Sequence, residues 1–218
     1  MKEKFMNGLL TLVVVLMMQL LWWFGIHGPN VMGAVTSPFM TKMMAQNLAL
    51  YQAGEGVTAS GVFYTAGSQY SIIFGPFGSG WFSPTGSGIT MGLIIAVMLF
   101  SKRDDFKAIA KLAIPCGIFN INEPIIFDIP MVMNALFAVP FFLAPIACVC
   151  CGYLVQSLGL CPLFVIDVPW TTPVGLFGFL ASSGNIMGAI WRVVIIVGVS
   201  TLIYTPFVIA ANRQTEEA

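Results

Sequence analysis

Residues 5–24, FMNGLLTLVVVLMMQLLWWF, run for twenty positions without a charge, the length an α-helix needs to cross the hydrocarbon of a bilayer. Few folds can house such a run. Lys2 and Lys4 precede it and Trp22 and Trp23 end it, cations on one side and interfacial aromatics on the other, as at the two rims of a membrane. No small-residue cleavage site follows, so a retained span is the better reading than a cleaved signal. The remaining sequence asks for the same solvent. Of 218 residues 58% are hydrophobic and 8% charged, and mean hydropathy is +0.90, too little polar surface to coat a soluble globule. Nine Lys and Arg balance nine Asp and Glu, so no global charge calls for a nucleic acid.

Three further apolar runs read as spans: 86–100, 131–155 with Pro140 and Pro145 inside one kinked helix, and 193–211. The expected fold is therefore an all-α integral membrane protein with about four transmembrane helices, plus re-entrant hairpins and a short amphipathic helix, in a single membrane domain over residues 1–218. The amphipathic helix is placed at 40–51, within a looser stretch from 25 to 61. Lys102, Arg103, Lys107 and Lys111 form the one basic loop, which the positive-inside bias puts in the cytoplasm together with both termini. Between the spans lie segments broken by Gly and Pro. In 62–85 the breakers are Gly75, Pro76, Gly78, Gly80 and Pro84, and 112–127 and 156–186 are of the same kind. Such backbone survives at membrane depth only when protein or water covers it, and alternation of intact and broken segments is the pattern of a transporter. GNIMG at 184–188 fits small-residue helix packing, weak support for a dimer. The five cysteines lack metal-type spacing and read as small buried hydrophobes.

Residues 119–130, FNINEPIIFDIP, put Glu123 and Asp128 amid apolar sequence. With Pro115 and Gly117 before it, Pro124 biasing Glu123 to an extended shape and Pro130 after it, NINEP reads as the tip of a re-entrant hairpin with Glu123 facing a cavity. An ionisable group in a membrane is costly and marks function by default; the bland alternative is a Glu bonded to hairpin backbone. His27 in GIHGPN is the only histidine, open to a ligand through its flanking glycines or merely interfacial. Asp128 and Asp167, each two positions before a proline (DIP, DVP), read as loop-stabilising acids. Trp170 in VPWTTP can stack on a sugar face or sit in an aromatic belt.

GIHGPN, FNINEPIIF followed by a proline, and VPWTTP before a final span ending IYTPF resemble the EIIC sugar permease of the lactose/cellobiose/diacetylchitobiose family of bacterial phosphotransferase systems. The resemblance runs from about residue 5 to 213 and holds three motifs in order. It implies that Glu123 and His27 lie in the sugar site as catalytic groups, the Glu hydrogen-bonding the hydroxyl that receives the phosphoryl group, and that Trp22 and Trp170 line the same pocket. Asn120 and Asn122 would orient the sugar. Asp128 stands where the family usually has Gly. Family members are roughly twice as long, so the chain looks like the C-terminal, substrate-binding half, and the expectation is that it does not transport alone.

The implied activity is that of a sugar phosphotransferase permease component. A disaccharide is carried inward and a phosphoryl group passes to it from a cysteine of EIIB, which EIIA recharges, with no metal or cofactor on this chain. The implied location is the bacterial cell membrane, multi-pass, as a homodimer when complete and with a separately encoded N-terminal half as a possible partner. Two other classes stay open: an ion-coupled sugar symporter in which Glu123 and His27 relay protons, and a non-catalytic truncated remnant.

Overall fold

The computed structural model describes residues 2–65, 67–72, 80–82, 84–129 and 131–216, with backbone alone for 2–7 and 214–216. Gly75, Pro76, Gly78 and Pro130, read above as helix breakers, and the side chains of Lys2 and Lys4 fall outside that description. The architecture is helical. Helix α1 (Lys2–Trp23) is followed by α2 (Gly28–Gln52), then by two short antiparallel strands, β1 (Val57–Thr58) and β2 (Gly61–Val62), paired Val57 to Val62 and Thr58 to Gly61. Helices α3 (Met91–Phe100), α4 (Asp104–Ile118), α5 (Glu123–Asp128), α6 (Ala135–Ser157), α7 (Val174–Ala181) and α8 (Ile186–Val193) come next. A π-helical stretch, Val194–Val199, then joins α8 to α9 (Ser200–Glu216).

Among the described residues two helices are long and apolar enough to cross a membrane, α6 and the continuous rod Ile186–Arg213. Their outward faces carry Val139, Leu143, Leu154, Val194 and Leu202, the last 75% exposed; such faces find a partner in lipid. Three expectations shift. The span read at 86–100 keeps only ten helical residues in α3, about 15 Å and half a bilayer. The short helix read at 40–51 is the end of the longer α2, because His27 caps that helix and Pro29 sits in its first turn. Of the cysteines, Cys148 and Cys161 are buried, Cys116 and Cys151 half-buried and Cys150 exposed.

Residues 84–90 are the irregular centre of the molecule. Thr85, Ser87, Ile89 and Thr90 are 1% exposed or less, and Thr85, Gly86, Gly88 and Ile89 all have positive φ. A buried loop must place its backbone groups somewhere, and here distant elements take them. Gln19 of α1 accepts from the Gly88 amide at 2.8 Å, Tyr204 of α9 donates to the Gly88 carbonyl at 2.7 Å, and Asn120 accepts from the Thr85 amide at 2.8 Å. Protein covers the broken backbone, as a membrane requires. Two hydrophobic clusters pack around it, one through Trp81, Phe164 and Phe177, the other through Leu93, Phe137, Phe141 and Tyr204. Asn212 ties α9 back to the end of α3, taking the Lys102 amide and donating to the Phe100 carbonyl.

The GNIMG glycine also finds a use within the chain. A Cβ on Gly188 would meet the Gly178 carbonyl at 2.5 Å, and one on Gly178 would meet the Gly188 carbonyl at 2.3 Å. The small residues bring α7 and α8 together.

Candidate functional site

The first wall of the site is the corner between α1 and α2. Helix α1 stops because Gly25 takes φ +80°, its amide bonding the Trp22 carbonyl while the Ile26 amide reaches back to Leu21, a glycine-terminated helix end of the Schellman type. Three residues after Gly25, the Gly28 backbone lies so close to α1 that an added Cβ would stand 1.9 Å from the Met18 carbonyl. Between these glycines His27 is held against Trp22, ring centroids 4.9 Å apart. Its Nδ1 accepts the Asn30 amide at 3.2 Å, so the neutral imidazole carries its proton on Nε2, and that N–H is the one available to a ligand.

The second wall is the turn between α4 and α5. Asn120 holds the left-handed conformation, φ +66°, which asparagine tolerates better than most residues. Its amide nitrogen donates to the carbonyls of Trp170 (2.5 Å) and Thr172 (2.8 Å), while its oxygen takes Thr85. Asn122 donates to the Ser87 carbonyl at 2.7 Å. Gly86 runs so close that a Cβ there would stand 2.1 Å from the Asn122 side chain. Both asparagines are buried, and together they bolt the turn to the 84–90 loop and to VPWTTP. Glu123 opens α5, half-buried, with Pro124 in the first turn; it is helical rather than extended as the following proline led us to expect. Its Oε2 accepts the Asn122 amide at 3.1 Å, and among the described residues it has no cationic partner.

These walls enclose a cavity of about 680 Å³, within the size range of small-molecule sites. The structure gathers all six residues singled out from the sequence there: Trp22, His27, Asn120, Asn122, Glu123 and Trp170. Trp22 is buried and also meets Phe127 at 5.9 Å, whereas Trp170 is 65% exposed. Asp128 and Asp167 are exposed and are not among the lining residues. Asn30, Ser87 and Arg192 line the cavity too and escaped the reading of the sequence. For Arg192 a signal was available: it is the one cation between Lys111 and Arg213. Chemically the site combines a carboxylate, an imidazole N–H, stacking indoles and buried donors, the equipment for binding a polyhydroxylated ligand and moving a proton from it.

Comparison with known proteins agrees with that equipment. Residues 4–145 match the family model "Phosphotransferase system, EIIC". The chain is 37% identical to the cellobiose-specific EIIC component of the phosphotransferase system of Lactococcus lactis subsp. lactis, over 94% of this chain and 43% of that protein. To the oligo-beta-mannoside-specific EIIC component of Bacillus subtilis it is 33% identical, over 93% and 43%. Among solved structures it superposes on the transporter ChbC, the IIC component from the N,N'-diacetylchitobiose-specific phosphotransferase system, with a TM-score of 0.83 and 33% identity, over 94% of this chain and 45% of that one. The chain thus spans less than half the length of these relatives.

Proposed function

Because the chain belongs to the phosphotransferase system EIIC family of membrane permeases, we propose that it is the substrate-binding part of a component that translocates a disaccharide of the cellobiose, lactose or diacetylchitobiose type while a partner EIIB phosphorylates it. The observation that carries this reading is the convergence of His27, Glu123, Trp22 and Trp170 on one cavity from three separate segments. A pyranose ring pairs a flat apolar face with a rim of hydroxyls. Trp170 stacks on the face, and Glu123 accepts from the rim.

In the transfer step, a sugar hydroxyl oxygen attacks the phosphorus of the EIIB phosphocysteine. The O–P bond forms, the P–S bond breaks, the hydroxyl proton goes to Glu123 and the cysteine leaves as thiolate. His27 donates its Nε2 proton in a hydrogen bond to the phosphoryl oxygens or the sugar. EIIA restores the phosphocysteine, and the charge of the product keeps it inside. The membrane is that of a bacterial cell, crossed several times, with both termini and the cationic segment 102–111, which includes the start of α4, in the cytoplasm. A cysteine at position 107 should therefore resist an impermeant reagent applied to intact cells, and its labelling would reverse the orientation. Transport requires the complementary half that the longer relatives carry, and the complete protein is a homodimer.

The testing experiment is recovery of product. Cells lacking related permeases, given this chain, a complementary half, EIIB and EIIA, should accumulate labelled disaccharide phosphate. Accumulation of unmodified sugar driven by an ion gradient would replace the proposal with symport.

A further inference from the structure

The sugar cavity holds a charge that a neutral disaccharide does not need. Arg192, in the last turn of α8, lines the cavity and is 1% exposed. Its Nε and Nη1 are buried and meet no acceptor, and no carboxylate among the described residues pairs with it. One face of the guanidinium is covered by the Phe177 ring, 3.7 Å from Cζ to centroid, so binding is left to its edge. A buried, unpaired guanidinium is costly and persists where something supplies the missing oxygens. The hydroxyl of Ser87, on the same cavity, is likewise buried without a partner. A π-helical stretch, Val194–Val199, begins two residues after Arg192, and such irregular turns gather at functional sites.

We propose that Arg192 is an oxyanion contact of the sugar cavity, which therefore favours a disaccharide that bears, or is acquiring, an anionic group over the neutral sugar. The edge of a guanidinium matches two oxygens of one phosphoryl or carboxylate group, a geometry that separate hydroxyls do not offer. Glu123 lies in the same cavity and, while ionised, repels that group, so the arginine offsets the repulsion until the carboxylate takes the proton. The inference rests on the cavity being a sugar site and names what that site prefers.

The test is titration of the purified 218-residue chain with three probes: cellobiose, cellobiose phosphorylated on a C6 hydroxyl, and the C6 carboxylate of cellobiose. At least one anionic sugar should bind about tenfold more tightly than cellobiose. Preference for the phosphate alone assigns the contact to the transferred group, and preference for the carboxylate assigns it to an acidic substrate. R192Q should erase the preference, and R192K should keep part of it. Equal affinity of the parent chain for all three sugars overturns the proposal without using any variant. So does an R192Q variant that weakens neutral and anionic sugars alike, which would make Arg192 a partner of the neutral sugar or of Glu123. Failure of the parent chain to bind any of the three removes the sugar site itself.

Discussion

The two walls of the cavity reach the same end by different means. At the α1–α2 corner, His27 is placed by its immediate neighbours: Gly25 turns the chain, Gly28 presses it onto Met18, and Asn30 fixes the ring. At the α4–α5 turn, Glu123 is placed by groups far away in sequence, since Asn120 and Asn122 are bolted to residues 85–87 and 170–172. One wall is a local motif and the other a junction. A local motif folds with its own segment, whereas a junction exists only once 84–90 and VPWTTP have arrived. Glu123 therefore depends on the assembled domain for its place, and His27 does not.

Substitutions can break that contrast. The largest effect is expected for Gly28→Ala, whose Cβ would lie 1.9 Å from a backbone oxygen that no rotamer can move. The loss should exceed about 3 kcal/mol and leave little folded protein, measured as recovery of monodisperse protein in detergent after heating. A tolerated alanine would show that the corner is loose. Next comes Asn120→Ala, which leaves the Thr85 amide and two carbonyls without partners and should cost about 2–3 kcal/mol in the same assay. Asn120→Asp keeps the acceptor for Thr85 but sets a buried carboxylate oxygen against the Trp170 and Thr172 carbonyls, so it should cost at least as much; an aspartate that costs far less than alanine would mean that the bonds to 170–172 hold nothing. The smallest change in stability is expected for His27→Asn. Asparagine caps a helix well, so stability should stay within about 0.5 kcal/mol, while formation of sugar phosphate falls on the order of a hundredfold because the Nε2 donor is gone. His27→Asn with parental activity would reduce the histidine to a cap.

Much of the corner was legible in the sequence for the reason just given. GIHGPN contains its own instructions, two glycines, a capping side chain and a first-turn proline, and the helix they start was underestimated only because its middle is polar. NINEP was legible as a turn, but what its asparagines grip was not, because no spacing rule connects position 120 to positions 85 and 172. The 84–90 loop was the least visible. GSGITM continues smoothly into an apolar helix, and nothing local says that Thr85 and Ile89 take positive φ; tertiary bonds from Gln19, Tyr204 and Asn120 impose it. Arg192 was missed for another reason. The apolar run was read from residue 193 onward, which cut the cation off from the rod that carries it, although the helix continues from Ile186 through Arg213.

The central claim, that Glu123 is the base of a sugar-phosphorylating permease, is tested most directly by Glu123→Gln in the complete assembly with EIIB and EIIA. The amide keeps the size of the side chain and an acceptor for the Asn122 amide but no longer takes a proton. The expected result is disaccharide binding within about threefold of the parent and no measurable sugar phosphate, a split that a merely structural glutamate does not produce. Sugar phosphate made by E123Q at the parental rate would contradict the assignment.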